Sequence, residues 1–180
     1  MEESCKWIDR ADRQQLKTKR VYNAKAIDAI RDYLVEKGET ISVAESVTSG
    51  HLQAALSSGE FAAKFFQGGL TAYNAGQKTK HLNIEPIYAE KVNCVAKKVA
   101  ATMAIEVSKS FISDYGIGIT GYATIVPECE EEGLFAWFAL SYKNEVVLTK
   151  KIATEKPGID AQVNYTEQVV EHVCNYLTKK

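Results

Sequence analysis

The segment TISVAESVTSGHLQAAL, residues 40–56, limits the possible fold more than any other part of the sequence. Its first five residues are rich in β-branched and apolar types, which predicts a short strand. The polar turn ESVTSG follows without a gap, and Leu52, Ala55 and Leu56 then recur at helical spacing. The sequence therefore predicts a strand, a small polar turn and the N-terminus of a helix, in that order.

The polar turn is a candidate ligand site. The first N–H groups of a helix have no partner within the helix, and together with the helix dipole they attract a phosphate or a carboxylate. Such an anion would lie among Glu45, Ser46, Thr48, Ser49 and Gly50. A second interpretation stays open, in which the hydroxyl group of Ser46, Thr48 or Ser49 only caps the helix.

The other predicted elements alternate between helices and strands. One helix is predicted from Asn23 to Lys37, with Gly38 as its C-terminal glycine, and a longer one from Tyr88 to Phe111. Strands are predicted at 68–73, 115–120, 134–142 and 145–152, and a last helix runs from about Val163 to Leu177. Helices before and between the strands, followed by a late hairpin, predict an α/β domain with a mixed sheet.

The stretch GGLTAYNAGQK has the composition of an active-site lip. Gly68 and Gly69 lead into a strand that ends at Tyr73, and Asn74 can cap the turn that carries Lys78. Each residue also has a structural interpretation. The glycines can permit a close approach of two backbones, the tyrosine can be a packing residue, and the lysine can be solvated on a helix surface.

The amino-acid composition limits the classes of partner that we expect for this chain. The chain has 180 residues, 46% of them hydrophobic, which suits one domain with a sizeable core. Its 22 basic and 23 acidic residues nearly cancel, so we expect neither nucleic acid nor a membrane surface as partner. A small molecule or a protein is the expected partner. The charged start of the chain has no signal-peptide core, and a cytoplasmic location is expected.

The cysteine and histidine residues are too scattered to predict a metal site. The four cysteines are Cys5, Cys94, Cys129 and Cys174, and the three histidines are His51, His81 and His172. Neither set has the paired spacing of a zinc site or the density of a disulfide-rich scaffold. Free thiols, no metal and no cofactor are expected.

Three motifs in register resemble the C-terminal domain of the competence/damage-inducible protein CinA. They are TISVAESVTSG, GGLTAYNAGQK and GIGITGYA, and they occur in the order and spacing of that family. The resemblance covers residues 23–180 and leaves 1–22 as a charged N-terminal extension. It implies a three-layer α/β/α domain with a mixed sheet, and by analogy a homo-oligomer.

The resemblance also implies an activity. Members of the family act as nicotinamide-nucleotide amidohydrolases, which convert nicotinamide mononucleotide to nicotinate mononucleotide and ammonia. Carried over to this sequence, the catalytic residues are Tyr73 and Lys78. The implied ligand-binding positions are Glu45, Ser46, Thr48, Ser49, Gly50, Gly68, Gly69, Asn74, Thr120 and Gly121.

The sequence departs from the family at several motif positions. The family serine in G-S-S, fifteen positions before the lysine, corresponds to Ala63. Ala161 and Asn164 stand where the last family motif has arginines, and the glycine-rich continuation of the third motif reads TIVPE. An acidic run, Cys129 to Glu132, would repel a phosphate-bearing ligand if it lay near the pocket mouth.

These departures lead to three hypotheses. In the first, the domain keeps the fold and a pocket for a nucleotide-like molecule or a protein partner, but its amidase activity is lost or much reduced. In the second, it is an active amidase in which Ser46, Ser57 or Ser58 supplies the hydroxyl, or Lys78 activates a water. In the third, it is a structural interaction module without a ligand.

Overall fold

The computed structural model describes residues 21–127 and 133–179. The N-terminal extension, apart from its last two residues, and the acidic run with Cys129 therefore lie outside the described residues. Within the described residues, no helix is long and apolar enough to cross a bilayer.

The described chain forms six helices and five strands. The helices are α1 (Ala24–Lys37), α2 (His51–Ser57), α3 (Ala75–Leu82), α4 (Pro86–Lys91), α5 (Lys97–Ser110) and α6 (Ile159–Thr178). The strands are β1 (Ile41–Glu45), β2 (Phe66–Thr71), β3 (Tyr115–Gly121), β4 (Leu134–Tyr142) and β5 (Glu145–Thr154). A 3₁₀ turn, Ala62–Lys64, precedes β2.

Local interactions at the ends of α1 and in the β4–β5 turn explain where these elements begin and end. The side chain of Asn23 accepts a hydrogen bond from the N–H of Ala26 at the start of α1, and Gly38 ends that helix with a φ of 64°. Lys143 and Asn144 both have positive φ in the turn between β4 and β5, as a tight hairpin requires.

The five strands form one mixed sheet in the order β2-β1-β3-β4-β5. Strand β1 pairs in parallel with β2 and β3, whereas β3, β4 and β5 pair antiparallel. Helices α1, α2 and α6 pack together on one face, and α5 covers the other face with α3 and α4 beside it. The predicted three-layer α/β/α architecture with a mixed sheet is confirmed.

The strand order determines where a ligand can bind. The chain leaves β1 for β2 on one side and returns to β3 on the other side, so that connections above β1 diverge to opposite faces of the sheet. A crevice forms at the carboxyl ends of the strands at such a switch point, and ligands of open α/β sheets bind there.

The predicted helix from Tyr88 to Phe111 is wrong as one element. It is divided into α4 and α5 by residues 92–96, where Asn93 and Cys94 have φ values of 45° and 58°. Two consecutive residues in the left-handed region cannot continue an α-helix. The carbonyl of Cys94 instead accepts a hydrogen bond from Thr120 Oγ1 at 2.8 Å, which ties this break to the end of β3.

Two glycines in β3 let α5 lie directly on the sheet. A Cβ atom on Gly116 would come within 2.0 Å of the Ala104 carbonyl oxygen, and one on Gly118 within 2.3 Å of the Ala100 carbonyl oxygen. Both obstacles are backbone atoms of α5, which a side-chain rotation cannot relieve.

We predict that Gly118→Ala destabilises the domain by about 1 to 3 kcal/mol or more, because α5 must move away from β3. Chemical denaturation measures the loss. Gly76→Ala is the matched control, because a Cβ there meets only the end of the Asn74 side chain at 3.5 Å. Equal effects of the two substitutions would contradict the close packing of α5 on β3.

Candidate active site

A cleft of about 560 Å³ opens at the carboxyl edge of the sheet. It lies at the switch point, because its walls are the segments that follow β1, β2 and β3, together with the α4–α5 connection and the start of α6. The lining residues are Ser46, Val47, Tyr73, Asn74, Ala75, Lys78, Asn93, Cys94, Val95, Thr120, Gly121, Tyr122, Ala123, Thr124, Val126, Gly158, Ile159 and Gln162.

A serine and a lysine, hydrogen-bonded to each other, form the polar floor of this cleft. The Nζ atom of Lys78 donates a hydrogen bond to Ser46 Oγ at 2.9 Å, and a longer one to the Tyr73 carbonyl at 3.4 Å. Ser46 follows directly on β1, and Lys78 lies in the first half of α3. Both residues are buried, and only 1% of Lys78 is exposed. The interpretation of Lys78 as a solvated helix lysine is therefore wrong.

Burial lowers the pKa of Lys78 from its ordinary value of 10.5, and Cys94 makes a smaller opposing contribution. No acidic group is hydrogen-bonded to the amine in the described residues. A buried amine of this kind loses its proton more readily than a surface lysine, and an amine without its proton can accept one from a neighbouring hydroxyl group.

This pKa shift predicts a pH dependence of stability. Between the lowered pKa of folded Lys78 and its ordinary value, the unfolded chain binds a proton that the folded chain does not, so the free energy of unfolding rises with pH in that window. Below the lowered pKa the amine is protonated in both states, and this contribution is constant. The slope is at most about 1.4 kcal/mol per pH unit.

Urea denaturation of wild type and Lys78→Met across this pH range measures the effect. The stability of wild type relative to the variant should increase as pH rises. Lys80→Met, on the exposed side of the same helix, controls for loss of a surface charge. A wild-type advantage that falls with rising pH would contradict a lowered Lys78 pKa.

The N-terminus of α2 already holds an anion, which is the carboxylate of Glu45. This side chain is fully buried and accepts hydrogen bonds from the N–H groups of Gly50, Leu52 and Gln53 at 2.9 to 3.0 Å. The Glu45 side chain thus supplies the anion that this turn was expected to attract. No free position remains there for a ligand phosphate, and none of the three hydroxyl residues of the turn caps α2 through its side chain.

The other turn residues lie around Glu45 rather than in the cleft. Thr48 is fully buried, and its Oγ1 has no hydrogen-bond partner. Ser49 is exposed, with a φ of 49°, and its hydroxyl donates to the Ser46 carbonyl at 3.3 Å. Gly50 has a φ of 103°, which a side chain would strain. Of the turn, only Ser46 and Val47 line the cleft.

Tyr73 and Asn74 form the rim on the β2 side. Tyr73 is 72% exposed, so the structural interpretation as a half-buried packing residue is wrong. Asn74 caps α3, as predicted, because its Oδ1 accepts a hydrogen bond from the N–H of Gln77 at 3.0 Å. The cap fixes the start of α3 and thereby the position of Lys78, four residues further along the chain.

Thr120 and Gly121 lie at the end of β3 and both line the cleft. Gly121 permits close contact with β4, since a Cβ there would come within 2.5 Å of the Ala136 Cα. Gly68 and Gly69 lie within β2 and do not line the cleft. At Gly69 the backbones of β2 and β1 approach closely, as one interpretation of the sequence proposed, because an added Cβ would lie 2.3 Å from the Val43 carbonyl oxygen.

Ala63 lies at the opposite end of the sheet from Lys78. It belongs to the 3₁₀ turn that precedes β2, and the first residue of β2, Phe66, pairs with Ile41 at the start of β1. Lys78 instead contacts Ser46, just beyond the other end of β1. Since β1 and β2 are parallel and lie side by side, a side chain at position 63 is separated from the amine by the length of a strand.

Sequence reasoning missed two walls of the cleft. The first wall consists of Asn93, Cys94 and Val95, which the sequence analysis assigned to one long helix. An Asn-Cys pair within an otherwise apolar-periodic stretch is a weak sign of a break in such a helix. Gly158 and Gln162 at the start of α6 line the cleft, and the Gln162 side chain donates to Ser49 Oγ at 3.4 Å. The described residues hold no group of three metal-ligating side chains.

The fold and the cleft define an α/β domain with a buried serine–lysine pair at the carboxyl edge of a five-stranded mixed sheet. The chain belongs to the CinA family of domains, since the model of the CinA C-terminal domain matches residues 23–179. The resemblance of the three motifs is thereby confirmed.

Individual relatives agree with this assignment. A CinA-like protein from Synechocystis is 40% identical over 90 residues, which are 50% of this chain and 22% of that protein. One from Rippkaea orientalis is 39% identical over 90 residues, with the same coverage of 50% and 22%. The chain thus matches only about a fifth of the length of these curated relatives.

Solved structures share the fold. The competence or damage-inducible protein from Enterobacter asburiae superposes with a TM-score of 0.80 at 22% identity, over 89% of this chain and 99% of that one. A CinA superfamily protein from Escherichia coli gives a TM-score of 0.75 at 26% identity, over 87% and 90% of the two chains.

Proposed function

We propose that this domain is a serine hydrolase of small carboxamides, with Ser46 as nucleophile and Lys78 as general base. The observation that carries the proposal is the 2.9 Å contact between Ser46 Oγ and a buried lysine amine whose pKa burial lowers, in a cleft at the switch point of the sheet. Nicotinamide-type amides are the class that the family resemblance suggests.

The sequence left three candidates for the reacting hydroxyl group, which are Ser46, Ser57 and Ser58. Ser57 and Ser58 lie at the end of α2 and donate hydrogen bonds to the carbonyls of Ala54 and Ala55. Neither of these two serines lines the cleft. Ser46 is the one of the three that contacts the lysine amine.

The alanine at position 63 does not remove a nucleophile from this cleft, because Ala63 does not line the cleft and lies at the other end of β2 from the lysine. Ala161 and Asn164, which stand where the family motif has arginines, do not line the cleft either.

The chemistry needs only groups that the cleft supplies. Neutral Lys78 accepts the Ser46 proton while Oγ attacks the amide carbonyl carbon, and the resulting Lys78 ammonium then gives a proton to the departing nitrogen. Ammonia leaves, and an acyl ester remains on Ser46. A water molecule, deprotonated by the same amine, hydrolyses the ester to a carboxylic acid and restores the serine.

A reagent that does not depend on the substrate tests this assignment. An aryl sulfonyl fluoride should modify Ser46 in the wild type, with the adduct located by peptide mass spectrometry, and Lys78→Met should lose the labelling while Lys80→Met keeps it. Labelling and ammonia release should both rise with pH as Lys78 loses its proton and level off above its lowered pKa.

Absence of both labelling and ammonia release from any nicotinamide-type amide would overturn the hydrolase proposal. Retained ligand binding by such an inactive protein would instead support the hypothesis of a pocket without amidase activity.

A further inference from the structure

The turn after β1 contains main-chain N–H groups that the fold leaves without a partner. Those of Val47 and Thr48 have no acceptor within the described residues, although both residues are buried. The N–H groups further along the turn are bound by the Ser46 and Thr48 carbonyls and by the Glu45 carboxylate. Buried donors without an acceptor are rare in folded proteins, so the two unpaired groups require an explanation.

Val47 brings one of these donors to the cleft. It follows Ser46 directly and both residues line the cleft, whereas Thr48 does not. The Val47 N–H belongs to the peptide bond that joins it to Ser46, the residue whose hydroxyl contacts Lys78. In hydrolases that carry their serine between a strand and a helix, the N–H of the residue after the serine binds the oxygen of the attacked carbonyl group.

The direction of this N–H is fixed by its surroundings. The Ser46 carbonyl, which belongs to the same planar peptide, accepts hydrogen bonds from the N–H and the hydroxyl group of Ser49 at 3.2 and 3.3 Å. The Val47 residue is only 5% exposed and belongs to the core between the sheet and α1, α2 and α6. A donor held in this way needs no reorganisation when charge develops on a nearby oxygen.

We infer that the main-chain N–H of Val47 is the oxyanion-binding donor of the site. It holds the carbonyl oxygen of the substrate amide and stabilises the negative charge on this oxygen in the tetrahedral intermediate. The inference rests on the proposed function, in which Ser46 is the nucleophile. It explains why the donor is unpaired in the folded chain, since its acceptor arrives with the substrate.

A covalent adduct that carries the same oxyanion tests the contact directly. The probe is 3-(trifluoroacetyl)pyridine, an aryl trifluoromethyl ketone. Ser46 Oγ adds to the ketone carbon, neutral Lys78 takes the hydroxyl proton, and the former carbonyl oxygen becomes the hemiketal oxyanion. The fluorine resonance of the probe reports whether the adduct forms.

The sequence allows the Val47 amide to be observed selectively. Ser-Val pairs occur only at 42–43 and 46–47, so protein labelled with [¹³C′]serine and [¹⁵N]valine gives two HNCO signals, those of Val43 and Val47. Ser42→Ala removes the Val43 signal and thereby assigns the other. Val43 lies within β1 and serves as the internal control.

The Val47 amide proton should move downfield in the adduct, because it then donates to a charged oxygen, and the Val43 proton should not. An adduct in which Val47 moves no further downfield than Val43 would overturn the inference and leave the hydrolase assignment standing. Absence of both the adduct and the sulfonyl fluoride labelling would overturn the two together.

Removal of the N–H measures its contribution to the rate. Replacing Val47 with the corresponding α-hydroxy acid, by nonsense suppression in cell-free translation, exchanges the N–H for an ester oxygen and keeps the side chain. The kcat for ammonia release from nicotinamide mononucleotide should fall about 100- to 1,000-fold, with KM changed less than about threefold. The same replacement at Val21, which is exposed and does not line the cleft, is the control. An unchanged kcat in the folded Val47 ester would contradict the inference.

Discussion

Ser46→Ala is expected to lower kcat for amide hydrolysis by at least about 1,000-fold, since the substitution removes the only atom that would form the acyl bond. The loss should appear in kcat, because the side chain contributes little to the walls that hold the ligand. Ammonia release from nicotinamide riboside and nicotinamide mononucleotide, measured under saturating ligand, determines the change. Sulfonyl fluoride labelling should disappear in parallel.

A second buried serine of the same strand region provides the matched control. Ser42 Oγ is hydrogen-bonded to Ser113 Oγ at 2.7 Å near the other end of β1, away from the cleft. Ser42→Ala makes the same chemical change and should leave kcat unchanged, with a stability loss of about 1 kcal/mol. If Ser46→Ala kept activity within a few-fold of wild type, another hydroxyl or a water molecule would be the nucleophile.

Glu45→Ala is expected to have the largest effect on stability among the site substitutions. It removes a fully buried carboxylate and leaves the N–H groups of Gly50, Leu52 and Gln53 without their acceptor. Each buried donor left unpaired costs about 1 to 3 kcal/mol. We therefore expect the free energy of unfolding to fall by at least about 3 kcal/mol, measured by urea denaturation.

Substitution of Glu85, which caps an exposed helix end, is the control for Glu45→Ala. Its carboxylate accepts hydrogen bonds from the N–H groups of Ile87 and Tyr88 at the start of α4, where water can replace it. Glu85→Ala should cost only about 1 kcal/mol, the usual value for a helix cap. A Glu45→Ala loss no larger than that of Glu85→Ala would show that water reaches the start of α2 after all.

Glu45 and Ser46 illustrate how one short motif serves two purposes. Glu45 neutralises the N-terminus of α2 and fixes the turn, and the next residue places its hydroxyl beside Lys78. A conservative replacement, Glu45→Gln, should keep the turn with a smaller stability loss, since one of its two side-chain oxygens remains. Any activity loss in this variant would act through the position of Ser46.

The sequence alone determined the elements that depend on local chemistry. The cap at Asn74, the C-terminal Gly38 and the hairpin turn at 143–144 are all present as predicted, because each depends on one residue and its immediate neighbours. The apolar patterns also predicted the α/β class. The long predicted helix failed, because periodic valines continue through the break where Asn93 and Cys94 turn the chain.

The tertiary structure alone decided which polar residues meet. The family resemblance made position 63, fifteen residues before Lys78, the expected partner of the lysine, whereas Ser46 lies 32 residues away and is the actual neighbour. The reason is the parallel pairing of β1 with β2, which brings the residues after both strands to one edge and sends the residues before them to the other. Which groups share a cleft is a property of strand order, and strand order is set by long-range packing that no local pattern encodes.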